Sequence, residues 1–148
     1  MQYQNGDLWE LRSQTGGWVV ITTNTTLRRD GSAVMGAGLA KDAADRYPAL
    51  DVRLGKHIKM FHDKLYIERP LICLPTKRDW RNDSRLIWIE RGCHELADLG
   101  RVLKDVGNIE PIYLPKLGCG LGGLNWEREV RPVMDAILDD NRFILVST

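Results

Sequence analysis

The chain has 148 residues, 43% hydrophobic and 28% charged, with a formal net charge of +1. This fits one globular domain with its own core, and the balanced charge excludes a global field that would draw the chain to nucleic acid or membrane, leaving only local patches for such contacts. No low-complexity segment or internal repeat interrupts it, its start has no apolar h-region, so no signal peptide is expected, and no apolar run approaches the length of a bilayer span.

Short β-branched runs alternate with helical stretches, which predicts an α/β layer fold. Residues 1–4 read as a strand before the turn Asn5-Gly6-Asp7. Asp7 is placed either to cap residues 8–11 or to accept a hydrogen bond from an exocyclic amine. Residues 18–23 (WVVITT) read as a buried strand running into Asn24 and a long loop to Gly36. A short helix is expected over 38–47, stopping before Pro48, and another over 49–61. Residues 65–67 (LYI) read as an edge strand and 71–74 (LICL) as a buried one that leads into Pro75-Thr76-Lys77-Arg78.

The clearest helix covers 84–106, where Leu86, Ile89, Cys93, Leu96, Leu103 and Val106 trace one apolar stripe. Asn82, Asp83 or Ser84 is placed to cap it and Gly107-Asn108 to end it. Residues 112–114 (IYL) form a strand that enters a glycine loop. A turn over 126–130 and a restart at Pro132 predict a last helix presenting Val133, Ile137 and Leu138 to the core, before a final strand over 143–146. In open α/β sheets ligands bind at the carboxyl ends of strands, so the segments after 18–23, 71–74 and 112–114 are expected to share one cleft.

Residues 115–126 read PKLGCGLGGLNW, with Gly118, Gly120, Gly122 and Gly123 crowded before a helix-like stretch. Successive exposed N–H groups there make an anion cradle for a phosphate or diphosphate. GxGxxG is matched formally, but Asp139 and Asp140 precede the last strand instead of following it, which argues against a nicotinamide site. No GxxxxGK[ST] occurs, which argues against a P-loop. Residues 33–40 (AVMGAGLA) make a second small-residue loop opening a helix. For both loops, a tight structural strand-to-helix turn is the competing reading.

Asn24 can donate to and accept from vicinal sugar hydroxyls, or start an Asx-turn. Thr76-Lys77-Arg78-Asp79-Trp80-Arg81 follows a strand with three cations and an indole. A partly desolvated lysine among cations is a candidate nucleophile, and the cluster also suits nucleic-acid phosphates with Trp80 stacked on a base. The alternative is a solvated loop with Trp80 lying on the core. Cys73, Cys93 and Cys119 are widely spaced, odd in number and without CxxC, which predicts reduced thiols, a cytoplasmic setting and no metal site. His57, His62 and His94 read as surface or packing residues, and no serine sits in GxSxG.

Taken together, GDLW, ITTN followed by VMGAGLAKDAADRYP, LPTKRDWRNDSRL and LPKLGCGLGGLNW resemble the macrodomain family, an ADP-ribose-binding α/β fold, over nearly the whole chain. The PTKR-x-WR and GCGLGGL-x-W blocks resemble its DarG-type branch, which removes ADP-ribose from DNA bases. Terminal ADP-ribose glycohydrolases on protein carboxylates are near relatives of that branch. The resemblance implies a three-layer α/β/α macrodomain over residues 1–148, with a central mixed, largely parallel sheet. It implies an ADP-ribosyl glycohydrolase with no cofactor, whose partner is ADP-ribose or an ADP-ribosylated macromolecule (DNA or protein). A monomer with no membrane partner is expected.

By the same resemblance, Lys77 and Asn24 are the catalytic pair, with Asn24 orienting the distal ribose. Asp7 accepts from the adenine amino group, and Leu8 is a further ligand-binding residue. Thr23, Met35, Gly36, Ala37, Gly38 and Leu39 line the ligand on one side, with Pro75 and Thr76 beside Lys77. Leu117, Gly118, Cys119, Gly120, Leu121, Gly122 and Gly123 wrap the diphosphate and distal ribose. Arg78, Trp80 and Arg81 face nucleic acid. The loop LRRDGSAV is longer and more basic than usual for the family, and Gly122 stands where the protein-carboxylate branch has an acid. That departure keeps open a non-catalytic ADP-ribose reader, an ADP-ribose 1-phosphate phosphatase or an O-acyl-ADP-ribose deacylase.

Overall fold

The apolar run that begins at Trp18 becomes β2 (Trp18–Asn24), an inner strand of a six-stranded sheet in a computed structural model that describes residues 1–148. Its partners are β1 (Gln2–Asn5), β3 (Tyr66–Glu68), β4 (Leu71–Lys77), β5 (Ile112–Leu114) and β6 (Phe143–Ser147). The order across the sheet is β1-β6-β5-β2-β4-β3. All pairings are parallel except β3 with β4. The helices are α1 (Leu8–Thr15), α2 (Gly38–Arg46), α3 (Leu50–Phe61), α4 (Leu86–Asp105) and α5 (Arg131–Ile137), the last preceded by a π-helical turn over Trp126–Val130.

Strands covered on both faces read as continuous apolar runs, and side-chain alternation divides them between two cores. Val20, Ile72 and Leu74 face one core with Ile89, Cys93 and Leu96 of α4 and Met134 of α5. Val19, Ile21, Leu71 and Cys73 face the other with Ala40 and Ala43 of α2 and Leu50, Leu54 and Ile58 of α3. The result is the expected three-layer α/β/α sandwich.

Several boundaries differ from expectation for identifiable reasons. α4 starts at Leu86 with Arg85 as a cap that makes no side-chain bond, because Ser84 turns inward. Its apolar stripe ends early: Val106 is 74% exposed. Gly92 and Gly100 instead let the helix lie close on the sheet, where an added Cβ would come within 2.7 Å of Leu74 and 3.1 Å of Phe143. The π-helical turn shifts the phase of the last helix, so Val130, Met134 and Leu138 are buried and Val133 is only half-buried.

β4 continues through Pro75 to Lys77, past the expected end at residue 74. Proline has no N–H for the ladder. The β2–β4 register accordingly pairs Thr23 with Pro75 and then skips to pair Asn24 with Lys77. That bulge lies at the edge of the sheet where the parallel strands end.

Candidate functional site

The carboxyl ends of β2, β4 and β5 open on one cleft of about 750 Å³, a volume suited to a nucleotide-sized ligand. Residues 22–24, 34, 36–40, 76, 77, 80, 81, 84, 115, 118 and 120–122 line the cleft. The three segments expected to converge do so, and the bulge sets Asn24 and Lys77 side by side in the register.

Asn24 is 9% exposed and held at both ends of its amide. Its Nδ2 donates to Val34 O at 3.1 Å, and its Oδ1 accepts from Thr26 N at 2.9 Å. It therefore makes the Asx-turn and lines the cleft together. An amide has two N–H donors and two lone pairs, so one of each remains for a ligand. Thr25 and Thr26 tie this loop to the next: Thr25 N, Thr25 Oγ1 and Thr26 Oγ1 donate to Arg78 O at 3.0, 3.0 and 3.3 Å.

Of the basic segment, Lys77, Trp80 and Arg81 line the cleft, whereas Arg78 stands outside its wall. Trp80 is 53% exposed and so does not lie on the core. Arg81 makes a bidentate pair with Asp79, at 2.9 and 2.7 Å, and lies over the Trp80 ring at 5.9 Å. Hydrogen bonds from the Arg81 side chain, then from its backbone, hold the Asp79 carboxyl far below the usual range. The cleft therefore meets Lys77 and an arginine already paired, not three open cations.

The first small-residue loop ends at Ala37, which caps α2 without a side-chain bond. The first-turn amides of Gly38, Leu39 and Ala40 thus have no intrahelical acceptor and stand at the positive end of the helix, beside the cleft. Gly36 and Ala37 also face the cleft. Met35 does not: it is 4% exposed and belongs to the core under α2.

In the second loop Gly118, Gly120, Leu121 and Gly122 line the cleft. Gly118 has φ +71°, and a Cβ on it would meet Ile89 at 2.9 Å. A Cβ on Gly122 would lie 2.2 Å from Ser84 Oγ and 2.5 Å from Gly118 O. The loop position at Gly122 is therefore closed to side chains. Leu117 is fully buried in the core, Pro75 is buried within β4, and Gly123 lies beside Asp83 behind the wall; these three are not cleft residues.

A smaller hollow of about 430 Å³ adjoins the cleft and shares Leu39, Pro115 and Gly120 with it. Asp7, Leu8 and Cys119 line it. Asp7 caps α1, with Oδ1 accepting from Trp9 N at 2.9 Å and Glu10 N at 3.0 Å. Its Oδ2 is bound by no protein donor, so capping leaves an acceptor for an amine. Cys119 Sγ donates to Leu117 O at 3.4 Å.

The wall also holds residues not expected from the sequence: Thr22, Val34, Ala40, Pro115 and Ser84. Ser84 is 5% exposed, its Oγ lies 2.9 Å from Thr76 Oγ1, and its N donates to Gly122 O at 2.8 Å. Its place between a basic loop and a helix reads as a cap, and nothing local signals that it faces inward.

A parallel-centred α/β/α sandwich whose strands end in two glycine loops, with a hollow lined by the Asp7 carboxylate beside them, offers backbone amides to an anionic group and an acceptor next to them. No protein-family model matches the chain. It is 35% identical over 136 residues to the DNA ADP-ribosyl glycohydrolase of Mycobacterium tuberculosis, covering 84% of this chain and 35% of that protein. To the protein of the same name from Thermus aquaticus it is 28% identical over 148 residues, covering 93% and 38%. The chain therefore spans little more than a third of the length of these relatives. It superposes on the macrodomain of Mycobacterium tuberculosis DarG with TM-score 0.75 at 30% identity, covering 99% of this chain and 97% of that one. For the Thermus aquaticus DarG macrodomain the TM-score is 0.76 at 26% identity, covering 99% and 97%. The chain belongs to the macrodomain family, alongside the DarG macrodomains.

Proposed function

We propose that this macrodomain binds ADP-ribose and hydrolyses the bond between ADP-ribose and its acceptor, with ADP-ribosylated DNA as substrate and Lys77 as the catalytic residue. The observation that carries the reading is the β2–β4 bulge, which sets Asn24 next to Lys77 at the floor of a cleft walled by two glycine loops. The relatives' name, DNA ADP-ribosyl glycohydrolase, supports the substrate class. A structural neighbour, Thermosipho africanus DarTG, was solved in complex with ADP-ribose; it has TM-score 0.74 at 26% identity, covering 99% of this chain and 42% of that one.

In this reading the adenine lies in the hollow by Asp7, whose free Oδ2 accepts from its amino group. The diphosphate takes the unpaired amides at the start of α2 and those of the second glycine loop. The distal ribose reaches Asn24, which uses its remaining donor and acceptor on the ribose hydroxyls. Lys77 acts at the anomeric carbon: water supplies the oxygen that bonds there as the bond to the acceptor breaks, and the acceptor leaves with the electron pair and takes up the proton that the water gives up. Positive charge grows on the ribose in that step, so firmly held hydroxyls contribute to rate as well as binding. The unpaired thiols of Cys73, Cys93 and Cys119 support a reduced, cytoplasmic setting, and we infer that the domain acts as a monomer.

Release of ADP-ribose from a modified oligonucleotide and from a modified protein, with wild type and Lys77→Ala, tests the proposal. Loss of release in Lys77→Ala with retained ADP-ribose binding is expected. Equal release by both proteins would overturn the role of Lys77. Affinity for the modified oligonucleotide should fall as salt rises, more than affinity for free ADP-ribose. The closed position at Gly122 favours one other reading, a domain that binds ADP-ribose without turnover. Tight calorimetric binding with no release from either substrate would select it.

A further inference from the structure

Thr76 and Ser84 are 2% and 5% exposed, yet both line the cleft next to Lys77. Their hydroxyl oxygens lie 2.9 Å apart. Each hydroxyl carries one proton and two lone pairs, and a single bond joins them, so one of the two protons has no acceptor in the protein. A buried hydroxyl proton without a partner is costly. The open side of this pair is the cleft, because Gly122 closes over Ser84 from above: a Cβ there would fall 2.2 Å from Ser84 Oγ. The Ser84 oxygen thus fills the space that a side chain on the second glycine loop would need.

We propose that the Thr76–Ser84 pair contacts the ribose end of the bound nucleotide, donating its spare proton to a ribose oxygen. This rests on the ADP-ribose reading above, and it makes a hydroxyl from the approach to α4 the polar group of this wall. The pair sits at the Lys77 end of the groove, away from the Asp7 hollow. Its effect is therefore confined to ligands that carry the terminal ribose.

Calorimetry with ADP-ribose and with ADP, which lacks that ribose, tests this on wild type, Ser84→Ala and the near-isosteric Thr76→Val. Both variants should weaken ADP-ribose by about tenfold, the loss of one buried hydrogen bond, and leave ADP within about twofold. A parallel loss for both nucleotides would assign the pair to support of the glycine loop and overturn the proposal. Unchanged affinity for both would overturn it as well. Should Ser84→Ala not fold, Thr76→Val alone decides between these outcomes. A wild type that binds neither nucleotide would sink the ADP-ribose reading itself, and this proposal with it, a result distinct from selective failure of the variants.

Discussion

At the scale of single residues, the glycines of the cleft divide into two kinds. A Cβ on Gly36 or Gly120 would meet nothing within 4 Å, whereas one on Gly122 would strike Ser84 and Gly118. Gly120→Ala should therefore leave stability within about 0.5 kcal/mol and still lower ADP-ribose affinity, because its methyl group stands where the ligand passes. Gly122→Ala should destabilise the fold by about 1–3 kcal/mol through overpacking. Urea unfolding beside calorimetry separates the two. A similar contrast holds for the thiols: burial pushes Cys73 and Cys93 up to about 12 and raises Cys119 as well, but Cys119 alone is half-buried, in the hollow by Asp7, and open to a reagent. A thiol reagent on the native protein near pH 8 should modify Cys119 alone, with ADP-ribose protecting it; mass mapping checks this. The glycine-rich loop was legible in the sequence, but the reason Gly122 admits no side chain was not, since Ser84 lies far upstream.

Among the elements, α3 and the β3 edge are joined by a charged clamp. Arg53 donates to both Glu68 oxygens at 2.6 and 2.8 Å, and Tyr66 Oη donates to Glu68 Oε1 at 2.6 Å. Desolvation first, then the bond to Glu68, raises the Tyr66 phenol to about 12. The fold thus favours the protonated phenol, and this contribution is complete below the ordinary value near 10 and lost as pH rises toward 12. Ultraviolet titration should find a late phenol near 12 that disappears in Tyr66→Phe, while the raised Tyr3 phenol remains. The Glu68 carboxyl is shifted the other way, chiefly by the hydrogen bond from Arg53, so its contribution is present above the ordinary carboxyl range and fades as pH falls below it. The strands and helices themselves were readable from apolar runs and spacing. Their ends were not. The extension of β4 depends on how Pro75 meets Thr23 across the sheet, and the burial of Met134 depends on a π-helical turn whose phase no local pattern declares.

For the whole molecule, an α/β layered fold follows from alternating elements, while the strand order, with β2 between β4 and β5, comes from long-range packing. The resemblance in the paired motifs brought the family into view where periodicity alone stops at fold class. Ligand binding should register globally. At a concentration one hundred times the dissociation constant it adds about 2.7 kcal/mol, enough to raise the melting temperature of a chain this size by roughly 5–10 °C. An unchanged melting curve at saturating ADP-ribose would contradict the assigned cleft.

The loops that face each other across this cleft are rooted on opposite sides of the sheet. Leu27, Ala33 and Met35 anchor the first in the layer of α2 and α3, and Leu117, Cys119 and Leu124 anchor the second in the layer of α4 and α5. A diphosphate gripped by amides from both becomes a clasp over the rim of the sheet. Hydrogen exchange at Gly38–Ala40 and at Gly118–Gly120 should then slow in concert when nucleotide is added, two opposite faces of the sheet answering to one ligand.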